Sequence, residues 1–172
     1  MRIGTVLTLA VLLAAAPGCK RKSAGTTAQE ARRIPISVTM GDPRSAQQLI
    51  TGFHDIEDNA WRWTSKQFVV ELGTPAGAAG RGATLELRFA VPPVVIEKNQ
   101  SITLTAAVDG NVLPPETYTK PGDYTYKQDV PGSLLGKDAV KVSFEVDKPL
   151  TPGGADQRVL GVIATSAALV RK

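Results

Sequence analysis

Cysteine occurs once in this chain, at Cys19, and histidine once, at His54. A disulfide framework needs pairs, so the folded part must be held by packing alone. Zinc-type sites built from several Cys or His are excluded by count. Aromatics are few, with two Trp, three Tyr and four Phe, so the core has to come from Val, Ile, Leu and Ala. A membrane-spanning helix needs about 20 apolar residues, and the longest uncharged apolar run, residues 3–16, falls short of that. No Gly-x-Ser-x-Gly elbow, Walker-type loop or His-Glu-x-x-His helix is present. With one histidine, a Ser-His-Asp triad would have to recruit His54, and no nucleophile is marked out. Paired carboxylates of the glycosidase kind carry no signal among 16 acidic residues. The chain therefore reads as a non-enzyme with no cofactor and no assigned metal. Calcium held by loop oxygens at residues 55–59 is the remaining alternative.

What is present begins at the N-terminus. Arg2 precedes the apolar run, Pro17-Gly18-Cys19 ends it, and Lys20-Arg21-Lys22 follows. A basic start, a short apolar stretch and small residues before a cut site describe an export signal. Leu12-Leu13-Ala14-Ala15-Ala16-Pro17-Gly18-Cys19 resembles a bacterial lipoprotein signal with its lipobox. Gly18 and Cys19 match that box; Ala16 stands where Leu is commonest and Pro17 where Ser or Ala is. The resemblance implies a signal peptide over residues 1–18, with Cys19 as the mature N-terminus carrying palmitate-type acyl chains. Each buried methylene contributes about 0.8 kcal/mol, and more than one chain gives stable membrane attachment. The implied address is outside the cytosol, lipid-anchored to the cell envelope. Lys20 in place of Asp implies the outer membrane where the host has one. Ordinary signal-peptidase cleavage is the alternative.

The net charge of +4 belongs to the segment after the leader. Lys20, Arg21, Lys22, Arg32 and Arg33 face only Glu30 there, and residues 34–172 are close to neutral. No basic stripe runs through the folded part, so nucleic acid is not an expected partner. Basic residues beside a lipid anchor meet anionic headgroups at about 1 kcal/mol each. Residues 19–33 lack apolar periodicity and are expected to be a disordered tether.

From residue 34 onward the pattern is period two. Leu85, Leu87, Phe89 and Val91 alternate with Glu86 and Arg88; Val140, Val142, Phe144 and Val146 alternate with Lys141, Ser143 and Glu145. Such alternation predicts strands with one buried face. Further strands are predicted at 36–40, 67–72, 101–108 and 123–130, with 159–170 as one long or bent strand. Asp109-Gly110-Asn111 supplies the positive φ angles of a tight hairpin. The only helical candidate is short, at 45–51, and 76–82 reads as a flexible loop. About eight short strands at regular spacing predict an all-β domain over 34–172. The expected fold is an antiparallel two-sheet β-sandwich of jelly-roll-like type.

The densest group of chemistry-bearing residues is the segment 52–64, read as a loop. It holds His54, Glu57, Asp58, Trp61, Arg62 and Trp63. Tryptophan faces stack on the apolar C–H faces of a pyranose, while carboxylates and Arg bind hydroxyls, so the set suits a polar ligand such as a glycan. Trp61 and Trp63 are two apart and share one face of a strand, where core packing is the competing role. Arg62 then points the other way, towards solvent or a carboxylate. The Gly-Phe-His…Glu…Trp-Arg-Trp-Thr group, the hairpin at Asp109-Gly110 and the late Asp156-Gln157-Arg158-Val159-Leu160-Gly161-Val162 group resemble a small bacterial β-sandwich module. That module is found beside glycosyltransferase and related surface-polysaccharide domains and is carbohydrate-binding-like. The resemblance implies a structural charge cluster of Glu57, Arg62, Asp156 and Arg158, tying the first part of the domain to the last. The function expected from all of this is a non-catalytic envelope lipoprotein binding a glycan or another envelope component. The alternative is an accessory lipoprotein that binds a protein partner through a sheet face or edge.

Overall fold

The computed structural model describes residues 33–172 together with Met1. Cys19 and the rest of residues 2–32, which hold nearly all of the expected leader and tether, lie outside the described residues. The strands are β1 (Ser37–Thr39), β2 (Leu49–Glu57), β3 (Trp61–Gly73), β4 (Ala83–Val91), β5 (Ile102–Val108), β6 (Asn111–Val112), β7 (Glu116–Tyr118), β8 (Gly122–Val130), β9 (Ala139–Val146) and β10 (Ile163–Arg171). Two short helices interrupt them, α1 (Ala78–Arg81) and α2 (Pro93–Asn99). All pairings between these strands are antiparallel. The domain is all-β and jelly-roll-like, as the alternation predicts, with ten strands where about eight were expected.

One strand makes the sheet curl into two layers. The first half of β3 pairs with β10 through Trp63↔Ile163 and Arg62↔Ala164. Its second half pairs with β9, from Gln67↔Glu145 to Gly73↔Ala139. Between those stretches β3 leaves the layer of β1, β10, β4 and β8 and enters the layer of β9, β5, β6 and β7, with β2 paired alongside both of its halves. Along β4 and β9 every second side chain is buried, because the pleat sends alternate residues to opposite faces. The two inner faces meet in a continuous apolar core. Phe68 and Phe144 stack at 5.0 Å between ring centroids, and Phe89 meets the Tyr118 ring edge-on at 5.1 Å.

Several expectations need correction. The segment 52–64 is a hairpin, not a loop: β2 turns at Asp58-Asn59 into β3. Its alternation is hidden by three register shifts along β2. The helix expected at 45–51 is a 3-10 turn over Pro43–Gln47, after which the chain is already extended. The expected loop at 76–82 contains α1. Pro92-Pro93 does end β4, but Pro93 also opens α2, because its fixed φ and missing N–H suit the first helical position. The last strand begins at Ile163 and not at 159; residues ahead of it form a loop closed by the Leu150↔Leu160 bridge.

Candidate functional site

The site is built on the β2–β3 hairpin. Asp58 and Asn59 both take left-handed backbone (φ 52° and 53°), and Ala60 N donates to Glu57 O at 3.1 Å. Asp and Asn tolerate this conformation better than other side-chain-bearing residues. Gly52, at φ +80°, lies so close to the Phe68 backbone that a Cβ there would collide with it. The close approach seats bulged β2 on β3. The turn places Glu57 opposite Trp61, and both tryptophans are half-buried. Trp63 packs against the core cluster, whereas Trp61 does not join it.

A bulge sets the role of Arg62. Phe53 pairs with Thr64 and Ile56 with Arg62, so β2 carries an extra residue between those pairs. A bulge withdraws backbone groups from the ladder, and they need other partners. Arg62 Nη1 donates to the His54 carbonyl at 2.7 Å and its Nε to the Met40 carbonyl at 3.0 Å. Arg62 therefore stays out of the expected charge cluster. Its guanidinium ties β2, β3 and the end of β1 together through carbonyls, not carboxylates.

Glu57, Asp156 and Arg158 do meet. Arg158 grips Asp156 with Nε–Oδ1 at 3.0 Å and Nη2–Oδ2 at 2.8 Å, and its Nη1 donates to Glu57 Oε1 at 2.9 Å. Arg158 N also donates to Asp156 Oδ1 at 2.9 Å. These hydrogen bonds pull the Asp156 carboxyl down to about 2 and raise the Arg158 guanidinium. The same loop is fastened at three further points. Val159 O lies 3.0 Å from His54 Nε2. Gly161 N donates to Thr64 O at 2.6 Å, and Val162 N to the buried Thr64 Oγ1 at 3.0 Å. A Cβ on Gly161 would lie 2.6 Å from Ser65 O, so that close approach requires glycine. Asp58 sits exposed at the hairpin tip with no hydrogen-bond partner among the described residues.

Ser65 Oγ lies 3.5 Å from His54 Nε2, which invites a nucleophile–base reading. That nitrogen is the one facing the Val159 carbonyl, an acceptor only, so it carries the proton and has no lone pair for Ser65. Among the described residues no three or more of His, Cys, Asp and Glu converge where a metal ion could sit.

The sequence reading missed a groove further along the same outer face. Register places Trp63, Ile163, Ala90 and Asp123 in one row across β3, β10, β4 and β8. The next row on this face holds Ser166, Arg88 and Thr125. Thr165 is the extra residue of a bulge between Ala164 and Ser166, and its hydroxyl donates to Arg88 O at 3.1 Å. Arg88, Asp123, Thr125 and Thr165 line a groove of about 420 Å³. The outer face of the other layer carries a smaller groove of about 280 Å³ over Val69, Ala107 and Ser143.

No protein-family model matches the chain, and no curated protein is similar to it in sequence. Similar solved structures include a family GH115 4-O-methyl-α-glucuronidase, BtGH115A, with specificity for decorated arabinogalactans. The TM-score is 0.47 at 12% identity, covering 82% of this chain and 18% of that one. The chain thus spans under a fifth of the glucuronidase. TmCBM27, a carbohydrate-binding module studied for specific mannan recognition, gives a TM-score of 0.45 at 10% identity, covering 81% of this chain and 97% of the module. The CBM36-1 domain of a multidomain xylanase from the hindgut metagenome of Trinervitermes trinervoides gives 0.37 at 11% identity, covering 69% and 86%.

Proposed function

We propose that this protein is a non-catalytic glycan-binding β-sandwich held at the cell envelope by acyl chains on Cys19. The observation that carries the reading is the placement of Trp61 beside Glu57 on the outer face of a hairpin braced from both sides. Trp61 stays half-buried without joining the core. Such a ring is fixed in place and keeps apolar surface for a pyranose face, at little entropic cost on binding. Glu57 retains a second carboxylate oxygen beyond its contact with Arg158, and Asp58 lies free at the tip, so hydroxyl acceptors flank the ring. His54 positions the 156–159 loop beside it.

The same geometry supports binding without catalysis. A glycosidase acid must hold a proton near neutral pH. Asp156 is ionised far below that range. The envelope address rests on the leader and on Cys19 at its end. Isothermal titration of the full-length detergent-solubilised chain against a panel of envelope polysaccharides tests the glycan reading. Saturable heat that Trp61→Ala abolishes supports it; no heat with any glycan overturns it.

A second reading has its own observation. The row Thr51, Val69, Ser143, Ala107 and Val112 crosses five strands of the other layer without one large side chain. Val112 at its end is 72% exposed. That face fits an accessory role in which a protein partner lies on the sheet. Stoichiometric co-purification of one envelope protein, lost on Val112→Asp, would favour it.

A further inference from the structure

We propose that the ligand of the Trp61 site is a neutral oligosaccharide, which runs from Trp61 past the half-buried Trp63 and along the sheet into the groove where Arg88 and Asp123 bind its hydroxyls. The inference rests on the glycan-binding reading and specifies its ligand class.

The row Trp63–Ile163–Ala90–Asp123 is continuous, because each member is the direct cross-strand partner of the next. Directly opposed residues share a face. Three strand spacings separate its ends, about 14 Å. That span suits several linked sugar rings, not one. The row begins aromatic, continues through the half-buried Ile163 and Ala90, and ends in polar groups. An oligosaccharide presents the matching order of apolar ring faces and hydroxyl edges.

The groove at the far end is built, not incidental. The one-residue bulge at Thr165 breaks the ladder beside Arg88, and the volume of about 420 Å³ lies in the range of small-ligand sites. Arg88 and Asp123 both line it, yet neither side chain forms an ion pair or hydrogen bond with any described residue. Other charges on this face are spent: Glu86 pairs with Lys127 at 2.9 Å. An unspent guanidinium supplies donors only, and an unspent carboxylate acceptors only. Sugar hydroxyls need both. The two charges cancel, so an acidic sugar drawn to Arg88 meets Asp123, and the balance favours an uncharged ligand.

The test titrates the full-length detergent-solubilised chain with cellohexaose, mannohexaose and xylohexaose, and with an oligogalacturonate of equal length. Binding of a neutral hexasaccharide is expected to change less than two-fold between low and moderate salt, since no net charge is neutralised. Arg88→Ala and Asp123→Asn are each expected to weaken it about ten-fold, the loss of one or two charged hydrogen bonds. Both residues are exposed, so the melts of these variants should match the parent, and Glu145→Gln on the opposite face should bind as the parent does. Tighter binding of the oligogalacturonate, with steep salt dependence, overturns the inference. So does a neutral ligand whose affinity falls with Trp61→Ala but not with Arg88→Ala or Asp123→Asn; that result leaves the tryptophan reading standing. Failure of all four oligosaccharides to bind overturns the inference as well, and the polysaccharide panel then decides the broader reading.

Discussion

Arg158 reaches Glu57 across 101 positions of sequence, with Nη1 and Oε1 at 2.9 Å. It is the one side-chain ion pair between the 150–162 loop and the β2–β3 hairpin among the described residues. Its side chain is 38% exposed and that of Glu57 34%, so water screens much of the attraction. Its effect is therefore local. Arg158→Ala should lower the melting temperature only slightly. Backbone amides of Leu160 and Gly161 should exchange several-fold faster by hydrogen exchange. A large fall in melting temperature would contradict a local role.

Asp156 gives the loop a pH dependence with a definite sign. Its carboxyl lies lower in the folded protein, at about 2, than its ordinary 3.8, chiefly through the Arg158 hydrogen bonds. The folded state thus binds its proton less readily than the unfolded state. The stabilisation it gives is complete above about pH 4 and fades as pH falls towards 2. The pair is screened by water, so Asp156→Asn should remove only a small part of the acid-limb dependence in a pH series of melts. An unchanged acid limb would assign it to other carboxylates.

Arg62 should matter to stability through its carbonyl contacts. Its Nε and Nη1 satisfy two carbonyls, one freed by the β2 bulge. Arg62→Met keeps the stem and removes the donors. Stranding those carbonyls should cost about 1–3 kcal/mol in urea unfolding. Arg62→Lys, with one compact donor, should recover only part of that.

The two tryptophans should separate. Trp63→Ala removes a ring packed on the core and should destabilise by up to about 3 kcal/mol. Trp61→Ala should leave the melt within about a degree or two, given its place outside the core cluster, and should instead remove glycan binding. Chemical denaturation and calorimetry on the same samples read both effects.

Cys19→Ala should shift the expressed chain from the membrane fraction to the soluble exported fraction, with loss of the acyl mass in intact-protein mass spectrometry. A variant still sedimenting with membranes would point to another attachment.

Legibility followed the regularity of the strands. β4 and β9 bury one face along their whole length, so their alternation stood out in the sequence. β2 has three register shifts, and Leu-Ile-Thr-Gly-Phe-His-Asp-Ile-Glu shows no period in consequence. The hairpin reads as a loop for that reason. The carbonyl partners of Arg62 are not legible either, because a carbonyl released by a bulge leaves no trace in the residue types. The groove at Arg88 and Asp123 was invisible for a related cause. It depends on three strands from distant parts of the chain and on one extra residue at Thr165. Tryptophans, a lone histidine and a dense run of charge announce themselves; a space between ordinary residues does not.

The passage of β3 between layers has a thermodynamic corollary. Because one uninterrupted backbone contributes hydrogen bonds to both halves, neither half has an independent melting event available to it. Heating should release the whole sandwich in a single transition, with calorimetric and van't Hoff enthalpies in agreement.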